Sequence, residues 1–88
     1  VWASDVTFIK MATGWLFLCV IIDLFSRKVV GWKVSESNDE ELITSTIQEA
    51  LLTRNPGSGL IFHSDRGSNY CSKGVRKLLI INNIKRSN

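Results

Sequence analysis

The sequence predicts one mixed α/β domain, a three-stranded antiparallel meander followed by a β-α alternation. Three observations lead there. Residues 2 to 36 carry β-branched, aromatic and alternating apolar positions broken only by short polar connections. After Ser37 the apolar spacing changes to that of a helix. A short apolar segment then follows, separated from the meander by that helix, so it can lie parallel to an earlier strand through a right-handed crossover.

Each element has its own justification. Trp2 to Met11 lacks Gly and Pro and is rich in strand formers. Thr13-Gly14 is the expected turn, glycine being free to take positive φ. Trp15 to Ile22 is a continuous apolar run, as in a central strand covered on both faces. Asp23 to Arg27 connects it to Lys28–Glu36, where Val30, Trp32 and Val34 alternate with Val29, Gly31 and Lys33. Ser37 and Asn38 can cap a helix over residues 39 to 53, with Glu40 or Glu41 in capping-box position. Leu42, Ile43, Ile47, Ala50 and Leu51 form its apolar stripe. Asn55-Pro56-Gly57-Ser58-Gly59 stops it. Leu60 to His63 is a fourth strand, Ser72 to Ile81 a second helix facing inward through Val75, Leu78 and Leu79, and residues 83 to 88 begin a fifth strand. No internal repeat or domain boundary interrupts residues 1–88.

Composition excludes several classes. With 88 residues, 44% of them hydrophobic, the chain is neither disordered nor fibrous. Two cysteines cannot build a disulfide scaffold, and no Cys/His spacing suits zinc. The longest apolar run covers eight residues, far short of the roughly 20 that span a bilayer. There is no signal-peptide pattern. Cys19 in a central strand and Cys71 in a loop suit a reducing cytoplasm, the expected location. A chain opening on Val1 and ending on Asn88 is expected to be part of a longer protein. Charge is uneven. Residues 1 to 65 hold eight acids and five bases, net −3, whereas residues 66 to 88 hold six bases and no acid, net +6. A basic end of this kind suits a polyanion, though a solvated helix face would look the same.

Two carboxylates stand out. Asp5 lies mid-strand among apolar neighbours, where Asp is depleted and a charge needs a partner. Asp65 follows a buried strand at its carboxyl end, the usual ligand position in α/β sheets. If the fourth strand pairs with the first, the two face each other, and a divalent cation would relieve their repulsion. Hard oxygen ligands select magnesium or manganese. The alternative is that Asp5 caps a bulge and Asp65 starts a turn.

Three stretches together are specific: Trp2-x-x-Asp5-Val-Thr7-Phe, Trp15-Leu-Phe-Leu-x-Val-Ile-Ile-Asp23-Leu-Phe-Ser-Arg-Lys-Val-Val-Gly-Trp32, and His63-Ser-Asp-Arg-Gly-Ser-Asn-Tyr70. From end to end the chain resembles the integrase catalytic core of bacterial insertion-sequence transposases, which is similar to retroviral integrase. The resemblance implies a ribonuclease-H-like fold and a polynucleotidyl transferase with an Asp-Asp-Glu triad holding two magnesium or manganese ions. Asp5 and Asp65 match its two aspartates. Its glutamate lies roughly three dozen residues beyond the second aspartate, yet only 23 residues follow Asp65 here and none is acidic. Residues 1–88 are thus expected to hold the N-terminal and central parts of the core without its last helices, and to be inactive alone. The activity implied for the complete protein is metal-dependent DNA cleavage and strand transfer. A decayed, non-catalytic nucleic-acid-binding remnant, or a ribonuclease-H-type nuclease, are the competing readings.

The same resemblance implies that Ser68 and Asn69 lie in a loop against DNA, simple turn chemistry being the alternative, and Arg66, Lys73, Arg76 and Lys77 are candidate phosphate contacts. The expected partners are transposon ends, target DNA and further copies of the chain in a homodimer or larger oligomer, with no membrane. His63, Ser64 and Asp65 cannot form a hydrolase triad, because adjacent strand residues point to opposite faces. His63 is expected to be packed or to support the site from behind rather than to be a ligand, Asp23 to hold the turn to Ser26 and Arg27, and Trp15 and Trp32 to lie in the core or an interface.

Overall fold

The computed structural model describes residues 1–54, 59–64 and 72–87. In chain order these form β1 (Trp2–Met11), β2 (Gly14–Asp23), β3 (Lys28–Ser35), α1 (Glu40–Arg54), β4 (Ile61–Ser64), α2 (Lys73–Ile81) and β5 (Lys85–Ser87). The sheet runs β3-β2-β1-β4-β5. The meander is antiparallel, and β4 pairs parallel with both β1 and β5.

The first hairpin turns one residue earlier than expected. Met11 pairs with Gly14, so Ala12 and Thr13 make the turn and Gly14 opens β2. Gly14 has φ +147°, a value that a side chain would resist, and this is why glycine stands there. Between β2 and β3, the Asp23 side chain accepts the Phe25 N–H at 2.9 Å and its carbonyl accepts the Arg27 N–H at 2.7 Å. Arg27 takes φ +63° to close that turn. Asp23 therefore has the turn-holding role expected of it.

Asp39, not Ser37 or Asn38, caps α1: its carboxylate accepts the Leu42 N–H at 3.2 Å. The expected helix-stopping residues 55–58 lie outside the described residues, and α1 ends at Arg54. Leu42, Ile43, Thr46, Ile47 and Ala50 form the buried stripe. Thr46 is buried without penalty because its hydroxyl donates to the Leu42 carbonyl at 2.6 Å. The helix lies close on β3 at Gly31, where a Cβ would stand 3.0 Å from the Ala50 Cβ and 3.1 Å from the Thr46 carbonyl oxygen. Only glycine permits that approach.

From β3 to β4 and from β4 to β5 the chain steps in the same direction across the sheet. Right-handed crossovers stepping the same way put both connecting helices on one face. Accordingly α1 and α2 pack together, and the core lies beneath them: Trp2, Cys19, Ile21, Ile43, Ile47, Phe62, Val75 and Leu79 are all buried.

The opposite face is uncovered by any described residue. It carries Leu18 and Val20, half-buried, and Ile22, Val29, Trp32 and Val34, exposed. This bears on two expectations. Among the described residues the apolar run of β2 is covered on one face only, and Trp15 and Trp32, exposed by 51% and 58%, are not in the core, which leaves the interface of the two places expected for them. The core tryptophan is Trp2, exposed by 3%. Apolarity marks a surface that wants cover; it does not say which layer supplies it.

Candidate active site

The parallel ladder between β1 and β4 has three described rungs: Trp2 with Phe62, Ala3 with His63, and Ser4 with Ser64. Trp2, Ser4, Phe62 and Ser64 are buried toward the helices. Strand alternation then turns Asp5 onto the open face, where it is exposed opposite Val20 of β2. Asp5 is the first residue of β1 beyond the described rungs to β4. It stands at the carboxyl end of the described part of β4, the ligand-binding end of a parallel pair. Its Oδ1 accepts the Val6 N–H at 2.9 Å, a local bond that fixes the carboxylate. No ion pair holds Asp5 among the described residues.

Asp65, the next residue in the chain after Ser64, lies outside the described residues, as do Arg66, Ser68, Asn69 and Cys71. One carboxylate of the expected pair is therefore placed. Among the described residues no three His, Cys, Asp or Glu side chains converge on one point. In kind, the donor fits a hard divalent cation: an exposed carboxylate with one oxygen oriented by a backbone N–H.

Under Asp5, on the helix side, runs a narrow polar strip. The Ser4 hydroxyl lies 3.6 Å from the buried Cys19 sulfur, and the Ser64 hydroxyl is buried with no hydrogen-bond partner among the described residues. Nothing in the sequence set these residues apart, because serine in a strand is unremarked until its neighbours are known. His63 is not packed. It is exposed on the open face opposite Ala3, since Phe62 and Ser64 take the buried positions of β4. Ser64 and His63 point to opposite faces, so the expected absence of a hydrolase triad holds.

The basic candidates on α2 do not form one cluster. Lys73, Arg76 and Lys77 are exposed. Arg76 lines a cleft of about 230 Å³ with Leu79, Ile80, Ile84 and Arg86. Lys77 lines a separate groove between the helices with Thr44, Gln48 and Leu78. At the head of α2, the Ser72 hydroxyl accepts the Val75 N–H at 3.4 Å, and the Glu40 carboxylate accepts the Gly74 N–H. Sequence reasoning gave Glu40 a possible capping-box place in its own helix and so missed this contact. The available signal was Gly74, a residue that costs a helix about 1 kcal/mol relative to alanine unless something needs its bareness.

Asp23 lies away from Asp5, paired with Trp2 at the other end of the β1 register. The Phe25 N–H, with a smaller contribution from Ser26, holds its carboxyl below the ordinary value of 3.8. This is turn chemistry.

The description "Integrase core domain" fits a family match over residues 1–88. The chain belongs to the integrase core domain family. Its integrase core is 40% identical over 86 residues to the Transposase InsF for insertion sequence IS3A of Escherichia coli (strain K12), covering 98% of this chain and 30% of that protein. It is also 40% identical over 79 residues to the transposase for insertion sequence element IS904 of Lactococcus lactis, covering 90% of this chain and 31% of that protein. The chain therefore spans under a third of the length of these relatives. Among solved structures, the HTLV-2 integrase catalytic core domain in complex with magnesium superposes with a TM-score of 0.86 at 23% identity, covering 99% of this chain and 57% of that one. A chain of the simian T-cell lymphotropic virus intasome in complex with PP2A regulatory subunit B56 gamma superposes with a TM-score of 0.85 at 21% identity, covering 98% of this chain and 30% of that one. At such identities these neighbours show the fold: the integrase core here is ribonuclease-H-like, as its sequence resemblance implied.

Proposed function

We propose that residues 1–88 are the first part of the catalytic core of a bacterial insertion-sequence transposase that cleaves and joins DNA with divalent metal ions. The observation that carries this reading is the position of Asp5, an exposed carboxylate one residue past the Ser4–Ser64 rung. A parallel ladder continued by one step would bring the residue after Ser64, which is Asp65, alongside it. Asp5 and Asp65 would hold magnesium or manganese, two ions in the complete site. When bound, the metal supplies charge neutralisation at the scissile phosphate and activation of the attacking hydroxyl.

The chain's own residues do the rest. Asp5 is oriented by the Val6 N–H, so that its second oxygen stays available. Arg66, Ser68, Asn69, Lys73, Arg76 and Lys77 would meet phosphates and sugars, fixing the register of the DNA without reading its sequence. The third carboxylate implied by the family resemblance is not among residues 66–88, which contain no acid. Alone, residues 1–88 would therefore be inactive, and DNA binding by them would be weak and salt-sensitive. The partners we propose are transposon ends, target DNA and further copies of the chain, acting in the bacterial cytoplasm. No described helix is long and apolar enough to cross a membrane.

The test is strand transfer by the full-length transposase with transposon-end DNA in magnesium or manganese. Activity lost in Asp5→Asn and Asp65→Asn, and kept in Asp23→Asn, supports the reading. Metal-dependent activity that survives Asp5→Asn would sink it.

A further inference from the structure

We propose that Arg76 and Arg86 grip one backbone phosphate of the DNA, and that the DNA therefore crosses the β5 edge of the sheet on its way to Asp5. The ligand class rests on the functional reading above; the cleft itself does not. Arg76 stands on α2 and Arg86 in β5. Both are exposed, and both line the cleft of about 230 Å³ between that helix and that strand. Leu79 and Ile84, both buried, and Ile80 supply its apolar lining. Two guanidiniums beside an apolar lining suit a phosphate. Its oxygens accept the paired N–H groups of arginine in a bidentate fork, and its charge is held more strongly where water is partly displaced.

A second observation comes from the strand. Arg86 pairs with Phe62, which is buried toward the helices, so Arg86 faces the helix side. Lys85 pairs with the exposed Ile61 and faces the open side. β5 is the outermost described strand on this flank, so its edge presents cations to both faces of the sheet. No residue from 66 to 88 is acidic. The groove that Lys77 lines on the other flank of α2 holds no second cation. Charges on an edge strand also keep the sheets of two molecules from pairing, but that role needs neither Arg76 nor a cleft.

The register locates this phosphate relative to Asp5. Arg86 is level with Phe62, and Phe62 with Trp2, so Asp5 lies three residues further along and two strands across. At about 3.3 Å per residue and about 4.8 Å per strand, the two Cα atoms stand about 14 Å apart. That is about four steps along one strand of a duplex at 3.4 Å each, and fewer once the arginine side chains reach inward. Asp5 faces the open side and Arg86 the helix side, so a backbone touching both passes around the edge and does not lie flat on either face.

The experiment uses full-length transposase, unchanged and as Arg76→Gln, Arg86→Gln, the double variant and Arg86→Lys. Lys28→Gln, on β3 at the opposite side of the sheet, is the control for loss of one charge. Affinity for a transposon-end duplex and for a scrambled duplex is measured against salt. Ethylation interference maps the phosphates, and thermal unfolding checks the fold. The double variant should lose about 0.9 in the slope of log affinity against log salt, one phosphate's worth, and about tenfold in affinity, equally on both duplexes. Each single Gln variant should lose nearly as much, because either arginine alone holds the phosphate from one side only. Arg86→Lys, which keeps the charge without the fork, should keep the slope and lose part of the affinity. Lys28→Gln should change neither. Interference at one phosphate within about four nucleotides of the scissile one should vanish in the double variant. An unchanged slope in the double variant, losses that add, a loss matched by Lys28→Gln, or unaltered interference would each overturn the proposal. So would self-association of Arg86→Gln with DNA binding intact, which would leave the charge guarding the edge alone. If the variants behave as expected but the unchanged protein shows no metal-dependent strand transfer, the functional reading fails and the phosphate site stands. If the unchanged protein binds no DNA, both fail.

Discussion

Ser4 of β1 lies opposite Ser64 of β4 in a parallel rung, and this is the last described rung before Asp5. Both serines face the helices and are buried, so the next position on β1 must face outward. A shift of one residue in the register of β1 would turn Asp5 into the core.

Asp5→Asn should lower metal-dependent strand transfer of the full-length transposase by about 100-fold or more, the scale of losing one charge-stabilising group at a reacting phosphate. Its amide oxygen can still accept the Val6 N–H, so the strand should be preserved. Manganese should raise the unfolding temperature of the unchanged protein and not that of the variant. Equal stabilisation of both would remove Asp5 from the metal site.

Gly31→Val should destabilise the fold by about 1–3 kcal/mol, through overpacking against α1. Its Cβ would meet the Ala50 Cβ and the Thr46 carbonyl oxygen, and a backbone oxygen cannot move without moving the helix. Urea unfolding gives the value. A variant as stable as the original would mean that β3 and α1 lie further apart.

Asp23 makes the β2–β3 turn sensitive to acid. Its pKa in the fold is held below the ordinary 3.8, first by the Phe25 N–H. A lowered folded value means that the carboxylate favours the turn fully above the unfolded pKa, and that this is lost as pH falls through the folded pKa. The Phe25 amide should therefore lose protection, relative to its intrinsic exchange rate at each pH, as the solution is taken below about pH 4, the region of the unfolded carboxyl. Asp23→Asn should abolish that dependence. An Asp23 carboxyl titrating at or above 3.8 by NMR would refute it.

The uncovered sheet face should make residues 1–88 associate. Ile22, Val29, Trp32 and Val34 are exposed side by side on β2 and β3, and contiguous apolar surface of this kind is seldom left to water. Sedimentation at tens of micromolar should show dimers or larger species, and Trp32→Glu with Val34→Lys should shift them to monomer. A monomer before substitution would count against this face as an interface.

Any of Lys73, Arg76 and Lys77 that meets DNA should contribute to affinity through phosphate alone. Replacing any one by Gln should reduce the slope of log affinity against log salt by about 0.9 if that residue meets a phosphate of duplex DNA. Because Arg76 and Lys77 line different clefts, a duplex that engages one flank of α2 should leave the other residue's slope unchanged.

Much of this fold was legible because its signals are local. The period-two pattern of β1, the apolar run of β2 and the helical spacing of Leu42, Ile43 and Ile47 all announce themselves within a few residues, and the elements fall within a residue or two of where those patterns end. Asp5 was legible for the opposite reason, being a charge where a strand should not have one. What escaped depends on distant partners. The reach of Glu40 to Gly74 spans 34 residues, and no window along the chain contains both. The exposure of Trp32 is likewise decided by which face the two crossovers cover, whereas Trp15 shares the face of Cys19 and Ile21 but sits at the hairpin end of β2. The residues that would test the carboxylate pair directly, Asp65 and its followers, lie outside the described part.

The described ladder next to Asp5 joins residues 60 positions apart, Ser4 and Ser64, whereas the meander closes through a two-residue turn and a four-residue connection. Closing a long loop is entropically dearer than closing a short one, and non-local parallel pairing is slow to form. As the chain leaves the ribosome, the meander can assemble while β4 is still unmade, with Asp5 on an unpaired strand edge. The setting proposed to bind metal therefore matures late, so that an incompletely synthesised chain carries the scaffold of the site before it carries the site itself.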